Sequence, residues 1–400
     1  MAPTSNLLVL QSGGPTAVIN RSLAGIVEEA LRRKAFASIL GAVHGMEGLL
    51  AGNIIDLGHQ PASVWSGVAR SPGAALGSAR RKLKPDDMDE ALAVLRRFNI
   101  RCVAGLGGND TAENSLHLAK AAQQAGLDLA VVGVPKTVDN DLPAMDHTPG
   151  YGSAARFLAI ATMGVGRDAE ALGKAAPVTV LEVMGRNSGW LAAATALGKR
   201  DERDAPHVIG IPEQPIDEDS FITAVDNAVS RFGYAVAVVV ENVRGPKGPL
   251  GQHGKPQYVD EFGHPYYAST GEYLARRLAK HLKARVRFEK PGTIQRSFLA
   301  CVSRTDATEG FEAGRAAARL AARGESGVMV TLERQSDKPY RCSMGTTPLE
   351  AVAAKERILP SEYLDAKSGL PTAAFARYAL PLLGAPLPRL ERFRPLKPSL

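Results

Sequence analysis

Residues 132–142 read VGVPKTVDNDL: an apolar strand runs into Pro135, and Lys136, Asp139 and Asp141 follow within the next six residues. A cation and two carboxylates at the mouth of a buried strand suit a reaction that moves a charged group between them. The lysine can hold an anion, and a carboxylate can take the proton of a hydroxyl. Asp139-Asn140-Asp141 also fits a plain Asx-rich turn after a strand. What favours chemistry is the company the loop keeps.

Two more loops share its form. In LLVLQSGGPTAVIN, Gly13 and Gly14 follow one apolar run and precede a helix-like segment, so backbone amides can approach a phosphate with no Cβ in the way. The same glycines also suit a steric strand-to-helix turn. In CVAGLGGNDTAENS, Gly107-Gly108 is followed by Asn109, Asp110 and Thr111. Asp110 and Thr111 read either as an N-cap pair or as a carboxylate that touches a metal or keeps a larger anion out. Glycine amides, a lysine and several carboxylates from one sheet, with their mouths converging, spell Mg²⁺-assisted phosphoryl transfer. Met184-Gly185-Arg186 and the run RVRFEKPGTIQRS, with Arg287, Lys290 and Arg296, add guanidiniums suited to a second phosphate.

The elements that must position these residues are legible as apolar runs without period-two alternation: NLLVL, RCVAGLG, LAVVGV, PVTVLEV, HVIGIP, YAVAVVVE and GVMVTLE. Helix-like segments lie between them, over 15–33, 111–125, 151–170, from about Ser188, over 217–232 and over 270–284. Strands of this kind are covered by helices on both faces. The expectation is an α/β fold of two doubly wound, mostly parallel sheets, with ligands bound where strands end and helices begin. Pro85-Asp86-Asp87 and Pro215-Ile216-Asp217 mark two helix starts. Residues 244–267, rich in Gly, Pro and charge, read as a surface excursion, and the proline-rich stretch from 380 as an extended appendage.

Composition sets the remaining bounds. The 400 residues are 45% hydrophobic, enough for two domains. The start MAPTSNLLVLQSGGP carries no basic segment followed by an apolar one, and no run reaches membrane-span length. Three distant cysteines offer no disulfide framework. These features predict a cytoplasmic protein with no membrane partner. The net charge of +7 is spread along the chain and aromatics are only 6%, so nucleic acid is not an expected partner, whereas small anions are.

SGGPTAVIN, GSAR, GGNDT, PKTVDND, HTPGYGSA, VMGR, VVENVRG and PGTIQRS, in this order, resemble the phosphofructokinase family over roughly the first 300 residues. Within the family the chain is similar to the pyrophosphate-dependent branch. ATP users typically have Gly-Gly-Asp-Gly where this chain has Gly107-Gly108-Asn109-Asp110, and Pro-Gly-Thr where it has Pro135-Lys136-Thr137. The resemblance implies that Asp110 obstructs a nucleotide while Lys136 holds the terminal phosphate of diphosphate. It implies Asp139 as general base toward the C1 hydroxyl of fructose 6-phosphate, with Thr137 and Asp141 positioning the reacting groups. Gly13, Arg80 and Gly108 then fall beside the donor, Met184, Gly185, Arg186 and Glu241 on the sugar, and Arg287 and Arg296 on its 6-phosphate.

Three departures stand out. Asn109 replaces a usual Mg²⁺-binding aspartate, which leaves Asn109 or Asp110 as metal contacts. Thr293 replaces a histidine common in ATP users, and Pro177 an arginine that reaches a neighbouring subunit. The family implies a homodimer or homotetramer. It also implies a donor domain of residues 1–149 plus about 297–345, and an acceptor domain of 150–296 plus about 346–400. An ATP-dependent phosphofructokinase and a non-catalytic sugar-phosphate-binding protein on the same fold remain the alternatives.

Overall fold

A computed structural model describes residues 4–246, 248–251, 256, 258–261, 263, 265–266, 269–394 and 396. The chain forms strands β1 (Asn6–Gln11), β2 (Ile39–Ala42), β3 (Ile54–Asp56), β4 (Ile100–Gly107), β5 (Ala130–Pro135), β6 (Val178–Val183), β7 (Val208–Gly210) and β8 (Ala235–Val240), of which β2 and β3 lie outside the apolar runs read from the sequence. Short ribbons follow, β9 (Arg244–Gly245) with β10 (Gly248–Pro249) and β11 (Tyr258–Val259) with β12 (Pro265–Tyr266). The series ends with β13 (Val286–Glu289), β14 (Val328–Asp337) and β15 (Tyr340–Pro348).

They form a seven-stranded sheet of order β15-β14-β5-β4-β1-β2-β3 and a four-stranded sheet of order β13-β6-β8-β7. The smaller sheet is parallel throughout. The larger is parallel from β2 through β1, β4 and β5 to β14, and antiparallel at both edges, β2–β3 and β14–β15. Those edges escaped the sequence reading because β3 is three residues long and β15 is exposed at alternate positions rather than continuously apolar.

Both faces of the larger sheet are covered, as continuous apolar strands require. Leu7 and Val9 of β1 pack into one core with the helices Ile19–Arg33 and Arg304–Ala322, while Leu8 and Leu10 pack into the opposite core with Leu95 and Leu118. Glu29 ties the helices Ile19–Arg33 and Arg304–Ala322 together. Its buried carboxylate accepts from Arg32 and Arg33 on its own helix and from Arg315 on the other, and these bonds bring it down to about 2. A third core lies on the smaller sheet and includes the helix Tyr151–Leu172.

Several local expectations need correction. The first helix begins at Ile19 rather than 15, and the segment after β6 holds only the short helix Trp190–Ala194. Asp217 caps its helix by accepting from the Ser220 N–H. Asp86 does not cap; the Asp87 carboxylate instead accepts from the Lys84 N–H and from Arg81. The stretch from 380 is docked rather than appended. Leu382, Leu383 and Leu387 are buried against the third core, and Arg392 pairs with Glu170 and Asp204. Part of the 244–267 excursion lies outside the described residues. Within the described part, Asp260 is buried and pairs with Arg80. Among the described residues no helix is long and apolar enough to cross a membrane.

Candidate active site

The C-terminal ends of β1, β4 and β5, neighbours in the larger sheet, open into one cavity of about 260 Å³, and those of β6, β8 and β13 open into it from the smaller sheet. Gly13, Gly14, Gly108, Asn109, Asp110, Lys136, Thr137, Asp139 and Asp141 line it from the first side, with Arg80. Met184, Arg186, Glu241, Thr293 and Arg296 line it from the second. The three loops expected to converge do so.

Lys136 is only 3% exposed and reaches across to the β1 loop. Gly13 has a φ of 74°, and a Cβ there would lie 3.2 Å from the Lys136 Nζ. The Arg296 guanidinium lies against Gly14 in the same way. Two cationic tips therefore meet at the glycine amides, an arrangement that gathers positive potential at one point. Burial, reinforced by Arg296 and Arg186, lowers the Lys136 ammonium to about 7, against the pull of Asp139 and Asp141.

Asp139 and Asp141 move the opposite way. Burial pushes both above the usual carboxylate range, the charge of Asp139 raises Asp141 further, and Arg186 opposes both shifts. The loop that carries them is not a local Asx turn. The Thr137 Oγ1 accepts from the Asp139 N–H at 3.1 Å. Asn140, at a φ of 57°, accepts from the Thr148 N–H at 3.1 Å and donates to the Tyr378 hydroxyl at 2.9 Å.

Asp110 is not an N-cap. Gly108 occupies that position in the helix Asn109–Gln124, and the Asn109 Oδ1 accepts from the Asp110 N–H at 2.9 Å. The Asp110 carboxylate is left facing the cavity, 4.0 Å from the Arg186 Nη1. Arg186 itself has a φ of 47°, and its N–H donates to the Glu241 Oε1 at 3.3 Å. Gly185 shapes this turn from behind the lining. At a φ of 146° it passes so close to the Ser188 carbonyl that a Cβ would be 2.5 Å from that oxygen. Burial raises Glu241.

One expected residue is elsewhere. Arg287, on β13, pairs with Asp168 of the helix Tyr151–Leu172 and does not line the cavity, while Arg296 does. Pro177 sits at the start of β6, the end remote from Met184. Sequence reading missed Asp260, which holds Arg80, and also missed Asn140, Thr148 and Tyr378. A non-glycine φ above zero leaves no sequence signal except the tolerance of Asn for it. Among the described residues, the one group of three metal-ligating side chains close enough to share an ion is His147, Glu309 and Cys342, none of which lines this cavity.

Known proteins similar to this chain share much of its length and its fold. A protein of Xanthomonas campestris pv. campestris named pyrophosphate–fructose 6-phosphate 1-phosphotransferase is 36% identical over 389 residues, covering 96% of this chain and 92% of that one. A sulfofructose kinase of Alkalicoccus urumqiensis is 33% identical, covering 89% and 91%. The crystal structure of a pyrophosphate-dependent phosphofructokinase from Nitrosospira multiformis superposes with a TM-score of 0.87 at 32% identity, covering 99% of this chain and 95% of that one. The family model for phosphofructokinase matches residues 6–321, and with that match beside near-full-length relatives the chain belongs to the phosphofructokinase family.

Proposed function

We propose that the chain reversibly transfers a phosphoryl group from diphosphate to the C1 hydroxyl of fructose 6-phosphate, giving fructose 1,6-bisphosphate and phosphate. The observation that carries the donor assignment is the pairing of Asp110 and Lys136 in one cavity. A carboxylate opposes the approach of a third phosphate, and a buried ammonium beside Gly13 supplies charge to a donor that brings no nucleoside to bind. The two relatives with pyrophosphate in their names support the same donor.

In this reading Asp139 takes the proton of the C1 hydroxyl, and its raised affinity for protons suits a base working near neutrality. Thr137 and Asp141 hold the reacting groups in line. Gly13, Gly108, Arg80 and Lys136 hold the donor. Met184, Arg186 and Glu241 hold the sugar, Gly185 shapes their loop, and Arg296 takes the 6-phosphate. Arg287 acts on that phosphate only if its pairing with Asp168 is given up.

Members of the family generally use a divalent cation, and we assign Mg²⁺. The residues fit it. Mg²⁺ binds through one or two carboxylates, substrate phosphates and waters rather than an all-protein cage, and beyond the effect of burial the charge of Asp139 raises its neighbour Asp141, a repulsion that a bound cation would relieve. Asp110 and Asp141 are the candidate carboxylates, and the Asn109 oxygen, which accepts one bond from the Asp110 N–H and keeps a second lone pair, could reach the ion directly or through water. When bound, the ion neutralises charge on the phosphates in transfer.

The donor side is assigned to residues 1–149 with about 297–345, and the acceptor side to 150–296 with about 346–400. The packing of Phe375, Tyr378 and Leu382 on the third core supports this, although Leu349 and Val352 still pack with the larger sheet. Three free cysteines suit the reducing cytoplasm. Exposed Ile294, Phe298 and Leu299 beside the acceptor loop suit a homodimer or homotetramer contact. The test is a purified-protein assay with Mg²⁺ and fructose 6-phosphate, offering diphosphate or ATP. Turnover with ATP and none with diphosphate overturns the donor assignment, and a preference for a 6-sulfonate sugar overturns the acceptor assignment.

A further inference from the structure

Residues 356–359 lie beyond the span matched by the family model and outside the cavity lining, yet they bond to the backs of loops from both sheets. Arg357 makes most of these bonds. Its Nε and Nη2 donate to the Asn140 carbonyl at 3.2 and 2.8 Å, and its Nη1 donates to the carbonyls of Met145 and Asp146 at 2.6 and 2.7 Å. Its backbone N–H donates to the Asp141 carbonyl at 2.6 Å. The guanidinium lies 4.5 Å from the Trp190 ring. On either side of it, the Glu356 carboxylate accepts from the Asn187 amide at 2.9 Å. The Leu359 N–H shares the Glu213 Oε1 with the Gly189 N–H, at 2.7 and 2.8 Å.

The loop needs such an anchor. Asn140 is held in the left-handed region, which asparagine tolerates better than other side chains and which the surrounding bonds fix in place here. Arg357 satisfies the carbonyls of Asn140, Asp141, Met145 and Asp146, and Tyr378 secures the rest by donating to the Asp146 carbonyl at 2.8 Å and accepting from the Asn140 amide. The neighbouring carboxylates of Asp139 and Asp141 then project into the cavity from a backbone fixed on its far side.

We propose that Arg357, assisted by Tyr378, is a positioning residue that aims Asp139 and Asp141 at the reacting groups and holds their loop in register with the acceptor loop 185–189. The proposal rests on the reaction assigned above. A lysine could not replace the arginine. Two edges of a planar guanidinium meet carbonyls on different parts of the loop, which a single ammonium cannot do.

The experiment compares wild type, Arg357→Lys, Arg357→Ala and Tyr378→Phe in steady-state kinetics, with circular dichroism and thermal melting of each variant. A misplacement near 1 Å costs about 10²-fold, so Arg357→Lys should lose about that factor in kcat in both directions, with KM for both substrates within about threefold. Added guanidinium ion should restore part of the kcat of Arg357→Ala, and Tyr378→Phe should show a smaller kcat loss of the same kind. A folded Arg357→Lys with near-native kcat overturns the proposal, as does a loss seen only in KM or absence of rescue. If the Arg357 variants do not fold, a folded Tyr378→Phe with unchanged kcat overturns it. The comparison uses whichever donor wild type turns over. A wrong donor assignment therefore shows in wild type, a wrong role for Arg357 shows only in the variants, and a wild type inert with both donors overturns both.

Discussion

Replacing Lys136 by methionine separates the charge of this residue from its bulk. Methionine keeps an unbranched side chain of similar length in a site where Lys136 is 3% exposed, so the backbone and the Gly13 contact have little reason to move. A unit charge about 4 Å from a phosphoryl oxygen contributes about 4 kcal/mol at an effective dielectric near 20. Removing a single donor aimed at a developing oxyanion costs about 10²- to 10³-fold in kcat. The expected loss in diphosphate-driven turnover is therefore 10²- to 10³-fold. Stability should move the other way. The ammonium falls from 10.5 to about 7 on folding, so the unfolded chain binds that proton more tightly, and burying the charge costs on the order of a few kcal/mol at and below neutral pH. Lys136→Met removes that cost, and its melting temperature should rise. The pH profile gives a third reading. Wild-type kcat/KM for diphosphate should fall as pH rises through about 7, where free Lys136 loses its charge, and this alkaline limb should vanish in the variant. A folded Lys136→Met that keeps more than a tenth of wild-type kcat, or one whose activity falls only in step with its stability, would refute the reasoning.

Asp139→Asn should lower kcat by about 10²- to 10⁴-fold while fructose 6-phosphate still binds, as checked by calorimetry; full activity would remove Asp139 as the base. Asp110→Gly should admit measurable ATP turnover, because it removes the carboxylate facing the cavity near Arg186, and Lys136→Gly should chiefly weaken diphosphate use. If the double variant shows no ATP turnover, exclusion lies elsewhere. Away from the site, Glu29→Gln should lower stability by roughly 2–3 kcal/mol in denaturant unfolding, since it leaves Arg32, Arg33 and Arg315 around a neutral buried group. Glu29 is depressed from 4.5 to about 2, so its contribution is full above about 4.5 and is lost as pH falls toward 2. The wild-type advantage over Glu29→Gln should shrink across that range.

The parallel strands were legible because burial on both faces removes polar residues from them, and the converging loops were legible because glycine and charge cluster at the strand ends. β3 and β15 were not, since an edge strand with one wet face carries little apolar signal. Of the site, every lining residue within a short motif could be read, including Gly13, Asp110, Lys136, Asp139, Arg186 and Arg296. That Arg287 pairs with Asp168 and lies outside the lining was not legible, because the direction of a side chain on a strand depends here on a partner more than 100 residues earlier in the chain. Arg357, Tyr378 and Asp260 act on loops about 180 to 240 residues away, and each looks locally like any surface arginine, tyrosine or aspartate. Only folding brings them to the loops they hold.

The charges of the cavity explain why its cation and carboxylates do not simply neutralise each other. Its lining carries four cations, Arg80, Lys136, Arg186 and Arg296, and four carboxylates, Asp110, Asp139, Asp141 and Glu241. The sum is zero, but the distribution is not. Lys136 and Arg296 crowd the glycine loop and lower the lysine's hold on its proton, while Asp139, Asp141 and Glu241 are all raised by burial. Such a site holds its charges at a cost, which incoming groups of the complementary sign relieve. A phosphate at Gly13 would stabilise Lys136 as the ammonium, and a divalent cation beside the carboxylates would stabilise them as anions. A sugar 6-phosphate alone brings about two negative charges, and diphosphate brings more, so the substrates bring more negative charge than the formally neutral lining offsets. The divalent cation that members of the family generally use would add positive charge that the lining does not supply.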